Sequence, residues 1–129
     1  MVIDTSAILA VLQDEPERRV FNEIIEAADE RRISAASFVE ASIVIETRYE
    51  AEGLRDFDLY LAKAAIEIYA VDEDQALAAR RAFRDYGRGR HAAALNFGDC
   101  FAYALAVTLG EPLLFKGSDF ARTDVAVAH

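Results

Sequence analysis

Met1-Val2-Ile3-Asp4-Thr5-Ser6-Ala7-Ile8-Leu9-Ala10-Val11-Leu12 opens the chain and sets its architecture. Val2 and Ile3 are apolar and β-branched, which suits a short buried strand, and the Ala- and Leu-rich run behind them suits a helix that Thr5 or Ser6 is placed to cap. The strand therefore passes straight into the helix, and Asp4 falls at the strand's carboxyl end. The same alternation continues downstream. Pro16 suits a first helical turn, and residues 17–28 carry Val20, Phe21, Ile24, Ile25 and Ala28 on one stripe.

Arg32-Ile33-Ser34 reads as a second strand. Residues 37–49 then form a helix that is apolar at Phe38, Val39, Ile43, Val44, Ile45 and Tyr49, on more than one face, so it is buried centrally or meets another subunit. Gly53 is expected to end it, with residues 55–66 as a further amphipathic helix. Ile68-Tyr69-Ala70-Val71 has no polar alternation and suggests a buried parallel strand, followed by a helix over residues 74–86. Gly87 and Gly89 open a loop, Asn96 starts an apolar helix that Gly110 closes, and Pro112-Leu113-Leu114-Phe115 is the last strand. Short strands alternating with helices predict a parallel α/β fold.

At 129 residues the chain fits a single domain over residues 1–129, large enough to bury roughly two-thirds of its unfolded surface. A composition 53% hydrophobic and 29% charged, with 6 Gly and 2 Pro, excludes a disordered chain. The single cysteine, Cys100, forms no internal disulfide and lacks the spacing of a zinc or haem site, which suggests a reducing compartment. With no basic leader and no long apolar segment, a cytoplasmic location is expected.

Four acids stand where ligands bind in such folds. Asp4 and Asp119 fall at or just past strand carboxyl ends, the usual ligand edge of open parallel sheets. Glu40 and Asp99 are expected in the first turns of helices on the same side. Each has a bland explanation. Ser37-Phe38-Val39-Glu40 matches a capping box; Asp99, three residues after Asn96, suits the positive end of a helix dipole. Asp4 suits a helix cap, and Asp119 a polar turn beside Gly117 and Ser118. Gathered in one pocket, however, four carboxylates repel one another unless a cation neutralises them. All-oxygen ligation without His or Cys selects Mg²⁺ or Mn²⁺, ions that keep waters and bind phosphate, which points to phosphoryl chemistry through a metal-activated water.

Read together, Asp4-Thr5-Ser6-Ala7, Glu40, Leu95-Asn96-Phe97-Gly98-Asp99-Cys100-Phe101-Ala102 and Leu114-Phe115-Lys116-Gly117-Ser118-Asp119-Phe120 resemble the PIN-domain proteins, above all the VapC toxin ribonucleases. The resemblance runs essentially the whole chain. It implies a three-layer α/β/α sandwich on a short parallel sheet and a Mg²⁺- or Mn²⁺-dependent endoribonuclease. It further implies the toxin role in a toxin–antitoxin pair, neutralised by a cognate VapB-type antitoxin that inserts a basic side chain among the acids. By the match Asp4, Glu40, Asp99 and Asp119 are the metal ligands and catalytic residues, with Asp124 a neighbour of the last. Thr5 or Ser6 supplies a hydroxyl near the metal, and Asn96 braces the acidic helix start. A homodimer is implied too, which fits the over-apolar helix at residues 37–49.

A net charge of −9 argues against a general nucleic-acid binder, since phosphate contacts depend on Lys and Arg. RNA binding then falls to local patches. Arg80, Arg81, Arg84, Arg88 and Arg90 cluster with only Asp85 opposing them, and with Lys116 they are the expected contacts to the RNA backbone of a substrate such as tRNA or rRNA. Phe97, Phe101 and Phe120 are expected in the core, with base stacking as the alternative. Cys100 reads as a small buried apolar residue, and His91 as an exposed loop residue. Two other functions compete. A receiver-like phosphoacceptor domain would cast Asp4, Asp72 and Lys116 in its roles but leave Glu40 and Asp99 unexplained. A catalytically inactive PIN-like binding module would keep the acids for structure alone.

Overall fold

A computed structural model describes residues 1–129. Strand β1 (Val2–Ile3) leads into helix α1 (Thr5–Leu12), then α2 (Arg18–Ala27), β2 (Arg32–Ser34), α3 (Ala35–Lys63), β3 (Glu67–Tyr69), α4 (Glu73–Tyr86), α5 (Phe97–Leu109) and β4 (Leu113–Leu114). A short 3₁₀ turn, Phe120–Arg122, follows. The four strands form one parallel sheet in the order β3-β2-β1-β4. The chain thus adopts the three-layer parallel α/β/α arrangement.

Alternation along the strands builds two cores. Val2 and Leu113 point to one face, where they pack with Phe115 against α4 and α5. Ile3, Ile33 and Leu114 point to the other, against α1, α2 and α3. Because consecutive strand residues face opposite layers, even a two-residue strand serves both cores. The order also fixes the ligand edge. From β1 the chain moves to β2 on one side and later returns to β4 on the other, so the crevice at the carboxyl ends of β1 and β4 is the topological switch point.

Five local expectations are corrected. The helix after β2 begins two residues earlier than read, at Ala35, with Ser34 accepting from the Ala36 amide as its cap. It ends its first half at Glu50 rather than Gly53, where Glu50 takes a positive φ of 59° and kinks the helix. Gly53 sits inside the second half, which runs to Lys63 rather than residue 66; a Cβ there would meet Tyr49 Cβ at 2.5 Å, so the glycine permits the close approach at the kink.

The third strand is the sheet edge. It covers residues 67–69 only, and Ile68 is 45% exposed, because apolar composition does not reveal whether a strand has neighbours on both sides. The last correction concerns the first helix: of the two caps the sequence offered, Asp4, and not Thr5 or Ser6, caps α1. No helix is long and apolar enough to cross a membrane.

Candidate active site

The site is assembled from the exits of β1, β2 and β4 and the amino end of α5. Asp4 leaves β1 with its amide donating to Leu114 O of β4 (2.9 Å), which seats it at the switch point. Its Oδ2 accepts from the Ser6 amide (2.9 Å) and from Ser6 Oγ (2.6 Å). Ser6 Oγ in turn accepts from the Lys116 amide (3.0 Å), so one hydroxyl ties Asp4 to the segment leaving β4. Thr5 Oγ1 donates to Ser37 O (3.2 Å) and fastens the start of α1 to the start of α3. Thr5 is thereby a brace between elements, and Ser6 is the hydroxyl next to the acid.

For Glu40, expected among the acids, the sequence offered a capping box with Ser37 as the alternative. The structure removes that alternative: Ser34 is the cap, Ser37 lies inside the helix, and Glu40 falls in the second turn. Glu40 instead lies against α5, its carboxylate over Gly98, where a Cβ built on the glycine would come within 2.2 Å of Oε2. Ser37 Oγ is buried and has no hydrogen-bond partner.

Asp99 does make a capping box. Its amide donates to Asn96 Oδ1 (2.9 Å) and its Oδ2 accepts from the Asn96 amide (3.0 Å). Asn96 therefore caps the start of α5, and one oxygen of Asp99 remains outside the box. Asp119 starts the 3₁₀ turn after β4, is exposed, and makes no cap hydrogen bond. Asp124, its neighbour in sequence, is held by the Tyr103 hydroxyl and so is already partnered.

The electrostatics join these acids into one site. Asp4 is 3% exposed, and burial pushes its carboxyl up from 3.8 to about 6, against the lowering effect of the Ser6 hydrogen bonds and with added repulsion from Asp99 and Glu40. The Asp99 carboxyl is likewise raised, first by burial, and Glu40 and Asp119 add to it while the Asn96 amide and Arg88 oppose. None of the four forms a salt bridge. No group of three or more His, Cys, Asp or Glu side chains is set to hold a metal ion together in this structure. The donors are all oxygen and free of salt bridges, a chemistry that suits an ion such as Mg²⁺ that takes one or two carboxylates and keeps waters.

The basic residues divide. Lys116 is withdrawn from the expected RNA contacts, because its Nζ pairs with Glu15 Oε1 (2.5 Å) and Glu17 Oε2 (3.3 Å). These partners lie about a hundred residues away in sequence, so no local pattern announces them. The same pairing removes Lys116 from any receiver-like role, and Asp72 caps α4 at the edge-strand side. Arg84 pairs with Asp85, whereas Arg80, Arg81, Arg88 and Arg90 are exposed and outside any ion pair. Arg80, Arg81, Arg84 and Arg90 line one shallow depression with Phe83, and Arg88 is near enough to Asp99 to lower its pKa.

Phe120 is buried and Phe101 half-buried, in keeping with core roles, but Phe97 is 79% exposed. It is the first residue of α5, projecting from the helix end before the core begins. Cys100 is buried, its thiol pushed up to about 11 by burial and by Asp99, and is inert at neutral pH. Gly98 is the functional position that the reading of single acids passed over. Its signal was a glycine in the first turn of a helix, where it costs helix propensity and no turn requires it.

Comparison with known proteins agrees with this geometry. The PIN domain family matches residues 1–126. The ribonuclease VapC30 of Mycobacterium tuberculosis is 54% identical over 126 residues, covering 98% of this chain and 96% of that protein. The ribonuclease VapC of Mycolicibacterium smegmatis is 53% identical over 129 residues, the full length of both. Among solved structures, VapBC2 from Rickettsia felis, bound to a DNA fragment from its promoter, superposes with a TM-score of 0.78 at 12% identity, covering 98% of this chain and 94% of the other, and supports the fold. The chain belongs to the PIN-domain family, and within it to the VapC ribonucleases.

Proposed function

We propose that the protein is a Mg²⁺- or Mn²⁺-dependent endoribonuclease that hydrolyses RNA phosphodiester bonds and acts as the toxin of a VapBC-type pair. The observation that carries this reading is the gathering of Asp4, Glu40, Asp99 and Asp119, in which Glu40 and Asp99 repel Asp4, Glu40 and Asp119 repel Asp99, and none of the four forms a salt bridge. Family membership at more than half identity supports the ribonuclease activity.

Asp4, Glu40, Asp99 and Asp119 would hold the ion. Bound there, it supplies Lewis-acid activation of water for in-line attack at phosphorus. The chain's own residues provide the rest. Ser6 holds the Asp4 carboxylate in one orientation, and the Asn96 box holds that of Asp99, which limits reorganisation when substrate arrives. Burial of Asp4 strengthens each interaction at its carboxylate. Arg88, close to Asp99, would meet the non-bridging phosphate oxygens, and Arg80, Arg81 and Arg90 would follow the RNA backbone.

A cognate VapB-type antitoxin would neutralise the toxin by setting a basic side chain among these acids. Val39 and Ile43, 53% and 60% exposed on α3, support a homodimer formed through that helix. The buried, unpaired Cys100 suits a cytoplasmic protein.

Purified protein incubated with a structured RNA in Mg²⁺, and in EDTA, tests the activity. Cleavage is expected in Mg²⁺ only and is lost in Asp4→Asn and Asp99→Asn. Cleavage that persists in EDTA, or is unchanged in both variants, overturns the reading.

A further inference from the structure

Between α4 and α5 lies an apolar cavity of about 440 Å³, lined by Ala79, Arg80, Phe83, Phe97, Cys100 and Phe101 among others. Its size is that of sites that take small organic groups. Phe97 forms its outer wall, and the Phe101 ring meets Phe97 edge to face at 4.9 Å and 74°, which fixes the angle of the exposed ring. The other wall continues into the arginine depression: Arg80 and Phe83 belong to both, and the Arg90 guanidinium sits 5.5 Å from the Phe83 ring centroid. Isolated exposed apolar residues need no explanation, but a contiguous aromatic surface beside unpaired cations marks a recognition site.

We infer that Phe97 and this groove form a docking platform for an unpaired nucleobase of the RNA, next to the scissile phosphate. The inference rests on the ribonuclease reading above. A base offers a flat apolar face with a phosphate attached, and the groove offers aromatic walls with arginines at the rim; this is the pairing of stacking and charge that single-stranded RNA requires.

Helix geometry sets the spacing. Phe97 and Asp99 are two residues apart, so they lie on opposite flanks of α5, separated by roughly 3 Å along an axis about 10 Å thick. An RNA strand crossing the amino end of α5 would therefore place its scissile phosphate at Asp99 and the base of an adjoining nucleotide against Phe97. Stacking of this kind tolerates any base but demands that the base be unpaired. The platform selects loops over duplex.

The chain contains no tryptophan, so Phe97→Trp installs a single fluorophore in the groove. In EDTA, a short unstructured RNA oligonucleotide is expected to quench that indole saturably, and the same strand with abasic sites is expected not to. Phe97→Ala is expected to bind the RNA about ten-fold more weakly and to raise KM rather than lower kcat. Absent quenching, or equal quenching by the abasic strand, overturns the proposal. So does a Phe97→Ala variant that keeps its RNA affinity but shifts from dimer to monomer in sedimentation, for the groove is then a contact between copies. Quenching in EDTA is independent of catalysis, so a wild-type protein that cleaves no RNA overturns the ribonuclease reading while leaving this test standing.

Discussion

Gly98 and Glu40 are packed so closely that a Cβ on the glycine would come within 2.2 Å of Glu40 Oε2. They belong to different helices, α5 and α3, and the missing side chain is what lets the Glu40 carboxylate lie beside Asp99. Gly98→Ala is therefore expected to fold normally, since alanine is favoured in a helix by about 1 kcal/mol and the obstructed group is the end of a flexible side chain. Glu40 is pushed aside, and RNA cleavage is expected to fall about ten- to a hundred-fold, as for a displaced metal-site residue. Circular dichroism and cleavage rates on the same sample check both halves.

Asp4 makes stability depend on pH. Its carboxyl is raised from 3.8 to about 6, first by burial, so the metal-free native state binds this proton more tightly than the unfolded chain does. The resulting stabilisation is fully present below about pH 4 and lost as the pH rises through about 6. At pH 8 Asp4→Asn is expected to stabilise the metal-free protein by about 1–3 kcal/mol while abolishing cleavage, because asparagine caps α1 as well as aspartate does and carries no charge to bury. Urea unfolding in EDTA at pH 5 and pH 8 measures it: the variant's advantage appears at pH 8 and shrinks at pH 5.

Removing the Ser6 hydroxyl deletes a donor to Asp4 and the acceptor for the Lys116 amide. Ser6→Ala is expected to cut activity about ten-fold or more and to move the acidic limb of the pH–rate profile upward, since the lost hydrogen bond had lowered the Asp4 carboxyl. A purely structural role for Ser6 would lower the rate with no movement of that limb.

The arginines and Lys116 separate in salt. Arg80→Ala combined with Arg81→Ala is expected to reduce the slope of log affinity against log salt by about 1.4, some 0.7 for each lost contact to single-stranded RNA. Lys116→Ala is expected to leave that slope unchanged, because Glu15 and Glu17 already occupy the ammonium. RNA affinity between low and moderate salt distinguishes the two.

Features governed by neighbours in sequence were legible. The β1 strand running into α1, the Asn96 cap with Asp99 in its box, and Gly110 in the left-handed conformation closing α5 all follow from spacing and turn chemistry. The errors arose where distant parts of the chain decide. Ile68 lies in an apolar run but is exposed, because the sheet order leaves β3 without a partner on one side. Ser37 has the spacing of a cap to Glu40, yet Ser34 captures the helix start one turn earlier. The partners of Lys116 and the approach of Gly98 to Glu40 join segments far apart in sequence, and no local periodicity encodes such pairs. The four acids stood out by their places at strand ends and helix starts and by resemblance; their shared field was seen only once the strands were placed.

The central claim is that Asp4, Glu40, Asp99 and Asp119 hold a divalent ion that RNA cleavage requires. Titrating Mn²⁺ into the protein at pH 8, calorimetrically and beside cleavage assays, tests it most directly. The account predicts saturable binding to the wild-type protein and affinity reduced at least ten-fold in Asp4→Asn and Asp99→Asn, with cleavage lost in the same variants. Mn²⁺ affinity that is unchanged in both variants, or RNA cleavage at full rate without any divalent ion, would contradict it.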